Sequence, residues 1–241
     1  MPESASPTPE APPSDSPRRR RRWFLLILLV LLAGLGVGLG LALSGGSSSA
    51  LGPEGVPLQN APDLAAASTS ATGAPVDGVT CRAWNNQSLT EHFHVRISIY
   101  VGAKLERVPG GVGITAPAVV QKMPGGDFID TGQTDCLYWL HTHTNDGIIH
   151  VESPIKATFT LGQFFDVWRQ PLGPQQVGPA HGPVTALIGG RTWAGDPRDI
   201  PLLDNSVIQL DVGTPVEPFH PLAFHVKGSC GEGSTNCAAG G

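Results

Sequence analysis

Between residues 92 and 101 the chain alternates Phe93, Val95, Ile97, Ile99 and Val101 with His92, His94, Arg96, Ser98 and Tyr100. A period of two is that of a half-buried β-strand, and the polar face of this one opens with two histidines. Further strands are predicted over 104–108, 137–145, 148–153, 184–188 and 207–212, with a Gly/Pro-rich loop over 109–126. Thr160-Leu161-Gly162-Gln163 has the capping-box spacing, in which the Thr hydroxyl accepts from the third amide and the Gln side chain reaches back to the cap. The short helix that follows would bury Leu161, Phe164, Phe165 and Trp168 and stop before Pro171. The pattern predicts a mainly β domain over 79–227, a small β-sandwich or β-grasp-like sheet, with one short α-helix.

Upstream the periodicity disappears. Residues 1–22 are a Pro/Ser-rich tail ending in Arg18 to Arg22, and 23–43 carry no charge. At a rise of ~1.5 Å per residue this apolar run reaches about 32 Å, enough to cross a bilayer core. It reads as a single transmembrane helix, a signal-anchor in the cell membrane with the basic side cytoplasmic and the domain extracytoplasmic. Two alternatives stay open: a signal peptide cleaved near Ala42-Leu43-Ser44, and a twin-arginine export signal at Arg21-Arg22. All three place the domain outside the cytoplasm. Residues 44–78 read as a flexible linker, and 228–241 as a flexible Cys-containing tail.

Composition changes this picture in two ways. The 31 glycines and 23 prolines show no period of three, which excludes a collagen-like repeat. After residue 43 there are 10 Lys and Arg against 17 Asp and Glu, an acidic balance that disfavours nucleic acid and favours cations. The four cysteines, Cys81, Cys136, Cys230 and Cys237, are even in number and extracytoplasmic, so two disulfides are expected. The preferred pairing is Cys81 with Cys136 and Cys230 with Cys237.

The chemically specific stretch is Leu140 to Pro154, LHTHTNDGIIHVESP. Asp146-Gly147 is a two-residue hairpin signal of the type I′ kind. With that turn, His143 faces His150 and His141 faces Glu152, all four on one face of the hairpin. Opposed Cβ atoms about 4.5–5.5 Å apart let imidazoles converge on one ion. His92 and His94 would join them if their strand neighbours the hairpin. Imidazoles with a carboxylate, and no free thiolates, suit a divalent transition metal: Zn, Cu(II), Fe or Mn. The bland alternative is a solvated polar face. Asp146 is better explained by turn chemistry than as a ligand, and His181, His220 and His225 are scattered.

Leu140-His141-Thr142-His143-Thr144-Asn145-Asp146-Gly147 resembles the first motif of the PHP phosphoesterases, but the series of later ligands does not follow it. A three-His, one-Glu set also resembles that of cupins, although the order here, HxH then HxE on one hairpin, differs from theirs. Taken together, HxH, VPGGVGI, CLYWLHTHTNDGIIHVESP and TLGQFFDVWRQPL resemble an uncharacterised group of bacterial secreted or membrane-anchored proteins. That resemblance implies an extracytoplasmic location and a shared domain, and brings no activity. Three functions follow in order of preference: a membrane-tethered transition-metal-binding protein, a metalloenzyme whose site combines three histidines with a glutamate, and a metal-free envelope interaction domain. No nucleophile elbow or phosphate-binding Gly loop supports other chemistry.

Overall fold

The computed structural model describes residues 51–67, 72–83 and 89–226. The run at 23–43, the tail before it and the expected Cys230–Cys237 pair lie outside these residues. No helix among the described residues is long and apolar enough to cross a membrane.

In chain order the strands are β1 (Cys81–Arg82), β2 (Glu91–Val101), β3 (Lys104–Glu106), β4 (Val119–Met123), β5 (Gly126–Asp130), β6 (Leu137–Tyr138), β7 (Leu140–His141) and β8 (Ile148–Ser153). Helix α1 (Leu161–Trp168) follows, then β9 (Leu172–Gly173), β10 (Gln176–Val177), β11 (Ala180–His181), β12 (Val184–Ile188), β13 (Arg191–Thr192) and β14 (Val207–Val212). The fold is mainly β with a single α-helix among the described residues. Its main sheet runs β13-β12-β14-β2-β8-β7, with β3 added beside β2. The pairing of β14 with β2 is parallel and the others in this sheet are antiparallel.

The alternation along β2 sorts its two faces. Val95, Ile97 and Ile99 join Ile149 and Val151 of β8 and Ile208, Leu210 and Val212 of β14 in one core with Leu161, Phe164, Phe165 and Trp168 of α1. Full burial of each such side chain is worth about 1.5–3 kcal/mol. The helix begins as its sequence predicts: the Gln163 N–H donates to Thr160 Oγ1 at 3.3 Å and the Thr160 N–H to Gln163 Oε1 at 2.9 Å. It ends at Arg169, which takes the left-handed conformation at φ 57°.

The other face of the sheet is not solvated, as a half-buried strand would imply. Residues upstream of 79, expected to form a linker, cover part of it. Val56 packs with Ile148 and Val226 in a second apolar cluster. Gln59 donates to the Ile97 carbonyl at 2.7 Å and to Ser98 Oγ at 3.2 Å, while on the helix side the same segment meets the core, where Trp168 Nε1–H donates to the Ala66 carbonyl at 2.9 Å. The segment has no regular element of its own. Its few buried side chains are widely spaced among Gly, Pro and Ala, so periodicity does not betray it.

Two other expectations change. The strand predicted over 137–145 is broken into β6 and β7 at Trp139, and 142–147 form a loop. The loop expected over 109–126 contains most of the exposed hairpin β4–β5. The Cys81–Cys136 disulfide is present, with its Cα atoms 5.6 Å apart, beside the pairing of β1 with β6. Closing a loop across a separation of 55 residues stabilises the fold by about 4 kcal/mol on chain-entropy grounds.

Candidate metal centre

Three histidines form a row across the polar face of the sheet. His141 of β7 pairs with His150 of β8, and His150 with His94 of β2. One step along, His92 pairs with Glu152. The sheet therefore brings β2 beside the hairpin and gathers five imidazoles and one carboxylate, the six residues that the sequence singles out.

The register differs from the expected one. His141, not His143, lies opposite His150, because Asp146-Gly147 is not a two-residue type I′ turn. Gly147 has φ +80°, but Asp146 is outside the left-handed region that such a turn requires. Instead Asp146 Oδ1 accepts from the Ile148 N–H at 2.9 Å, closing a longer loop. The displacement is two residues, which preserves the face; a slip of one would have turned every ligand away. Gly147 is obligatory here, since a Cβ would lie 2.3 Å from the Ile97 carbonyl oxygen.

His143 returns to the cluster from the loop. Its Nδ1–H donates to the Ile129 carbonyl at 2.7 Å, and its ring stacks on Phe128 with centroids 4.5 Å apart. His141 is held likewise, its Nδ1–H donating to the Tyr138 carbonyl at 2.9 Å. A carbonyl can only accept, so each Nδ1 carries the proton. Burial, and then the neighbouring charge of His150, pushes the His143 imidazole below its usual range; burial does the same to His141 more strongly. Both rings are therefore neutral with bare Nε2 atoms, and these face one another at 3.2 Å.

Glu54 completes the centre, and sequence reasoning misses it. It is 5% exposed; its Oε1 accepts from His150 Nε2–H at 2.7 Å and its Oε2 from the Thr144 hydroxyl at 3.1 Å. No motif flags it: Gly52-Pro53-Glu54-Gly55 reads as linker. Glu152 Oε1 lies 3.3 Å from His92 Nε2 and 3.8 Å from both His141 Nε2 and His150 Nδ1.

Charge follows from this geometry. Burial disfavours a charged His150, but the carboxylates of Glu54 and Glu152 outweigh it and push the imidazolium up to about 10. In return, Glu54 and Glu152 are held well below the usual carboxylate range despite burial that would raise them. His150 donates from both nitrogens, the second proton going to His94 Nε2 at 3.0 Å, and burial together with that neighbouring charge keeps His94 neutral, pushed down to about 2. Burial also lowers His92. Asp146, buried and close to the Glu54 charge, is raised to about 7.

Ligand atoms of His92, His94 and His150 lie within 4.8 Å of one another, as do those of His141, His143 and His150. These buried groups are close enough to hold a metal ion. His181 and His220 lie apart from them, His220 stacked on Tyr100. No protein-family model, curated protein or solved structure matches the chain.

Proposed function

We propose that the protein binds a divalent transition metal in this cluster, outside a membrane to which residues 23–43 tether it. One observation carries the reading: His141 and His143 spend their Nδ1 protons on backbone carbonyls and turn bare Nε2 atoms toward each other at 3.2 Å. Two lone pairs so placed repel each other unless a cation lies between them. A tetrahedral ion with bonds of about 2.0–2.1 Å spaces its ligand atoms about 3.3–3.4 Å apart. Backbone carbonyls fixing the far nitrogen are also the usual outer support of metal-bound imidazole.

The charges agree. Glu54 and Glu152 bring two buried negative charges, which favour a cation, and binding through His150 displaces its proton. Cys81 and Cys136 are joined to each other and supply no thiolate, so the donors are imidazole and carboxylate, a set that suits Zn, Cu(II), Fe(II) or Mn. The disulfide supports an oxidising, extracytoplasmic compartment. That location also fits the bacterial secreted and membrane-anchored proteins that the motifs resemble. Burial of the ligands, with only the His92 side chain as much as 17% exposed, favours capture or delivery of the ion over catalysis at an open coordination position.

The test is the metal content of the full-length chain, exposed in turn to Zn, Cu(II), Fe(II) and Mn and then dialysed, beside a His141→Ala/His143→Ala variant. At least one of these metals is expected to remain on the wild-type chain and to be reduced in the variant. Retention of none above the variant's level would refute metal binding.

A further inference from the structure

We infer that the centre holds two ions rather than one, an inference that rests on metal binding at this cluster. The two histidine triads share only His150. The pair His92 and His94 belongs to β2, His141 lies on β7 with His143 just beyond it, and β8 runs between these strands. Neighbouring strands are about 4.7–4.9 Å apart, so the two His-x-His pairs spring from backbones separated by about 9–10 Å. The ligand atoms of each triad lie within 4.8 Å of one another, and neither triad joins His92 or His94 to His141 or His143.

The close contacts divide in the same way. His94 Nε2 lies 3.0 Å from His150 Nδ1 in one triad, and His141 Nε2 lies 3.2 Å from His143 Nε2 in the other. The second is close to the spacing of two ligands on one ion, and the first is the hydrogen bond that joins His150 to the β2 pair. Between the triads sits Glu152, whose Oε1 is 3.3 Å from His92 Nε2 and 3.8 Å from His141 Nε2. A carboxylate within reach of both triads would serve ions on either side of it, as carboxylates do in two-metal centres. One ion is thus held by His92 and His94, the other by His141 and His143, with His150 and Glu152 supplied by the strand between them.

Stoichiometry separates this from the simpler reading. The full-length chain is stripped with chelator, titrated with Zn(II) and dialysed, and the zinc per chain is measured. Two equivalents are expected for wild type, and one each for His92→Gln/His94→Gln and His141→Gln/His143→Gln. Saturation of wild type at one equivalent overturns the two-ion centre and leaves metal binding intact, whereas no bound zinc, copper, iron or manganese removes both. Because either variant could lose its fold, the wild-type chain is also titrated with Cu(II) and followed by electron paramagnetic resonance. Spin coupling that weakens the signal between the first and second equivalents is expected; two uncoupled signals overturn the shared centre.

Discussion

Glu54 and His150 are 96 residues apart in the chain and joined by a hydrogen bond of 2.7 Å. The carboxylate comes from a segment without regular structure, and the imidazole from the middle of a fully buried strand. Their contact makes an apparent linker part of the domain.

Replacing Glu54 by Gln removes the charge that holds the His150 proton. The metal-free chain is expected to lose about 1–3 kcal/mol at pH 7, the cost of leaving a buried polar group poorly satisfied, with His150 deprotonation limiting the loss. Urea denaturation of the two proteins measures it. An unchanged midpoint would mean that the segment around Glu54 does not dock in solution.

The metal-free protein is expected to be most stable near neutral pH. His150 is raised in the fold, so its contribution is complete below its unfolded value of about 6.5 and is lost as pH rises through about 10. His92, His94, His141 and His143 are lowered, so the unfolded chain takes up more protons and stability falls as pH drops below that same value. Glu54 and Glu152, also lowered, add to the loss in stronger acid. Asp146, raised to about 7, opposes this trend as a single group. Thermal midpoints recorded from pH 4 to 10 after chelation should pass through a maximum; a continuous rise to pH 10 would contradict the His150 assignment.

Metal affinity is expected to climb with pH across the range in which His150 is protonated. One displaced proton makes Kd fall about tenfold per pH unit, from neutrality until about 10. Calorimetry of Zn(II) binding in buffers with different ionisation heats counts the proton directly. Release of none would show that His150 is not a ligand, or is already neutral.

Gly147→Ala should destabilise the domain by more than about 1 kcal/mol and weaken metal retention, because the position combines φ +80° with a Cβ 2.3 Å from the Ile97 carbonyl oxygen. Gly173→Ala is the control. Its added Cβ meets nothing within 4 Å, and the change should stay within about 0.5 kcal/mol. Equal effects at the two sites would remove the claim that Gly147 sets the loop.

Much of this architecture is legible in the residues. β8, β12 and β14 occupy the predicted spans, β2 starts one residue early, and the Thr160 cap and the buried side of α1 are as expected. Five of the six proposed ligands converge because period-two spacing fixes the face of a strand whatever its partner, and His143 joins them from the loop. Partner choice is less local. The parallel pairing of β14 with β2 joins residues over a hundred apart, and nothing in either strand announces it. The register error at Asp146-Gly147 has a similar cause: the dipeptide suits a tight hairpin, but Asn145 is tied to Gln59 and Gly110, which open the loop. Glu54 lies beyond pattern reading because a single carboxylate between Pro and Gly has no periodicity to betray its burial.

The long reach from Glu54 to His150 also bears on access to the centre. The carboxylate precedes β2, β7 and β8 in the chain and meets the imidazole row only across the finished sheet. In the fold the Glu54 segment lies over part of the polar face of the sheet. With Glu54 in place His94, His141, His143 and His150 are buried, so exchange of an ion with solvent would require this seam to part.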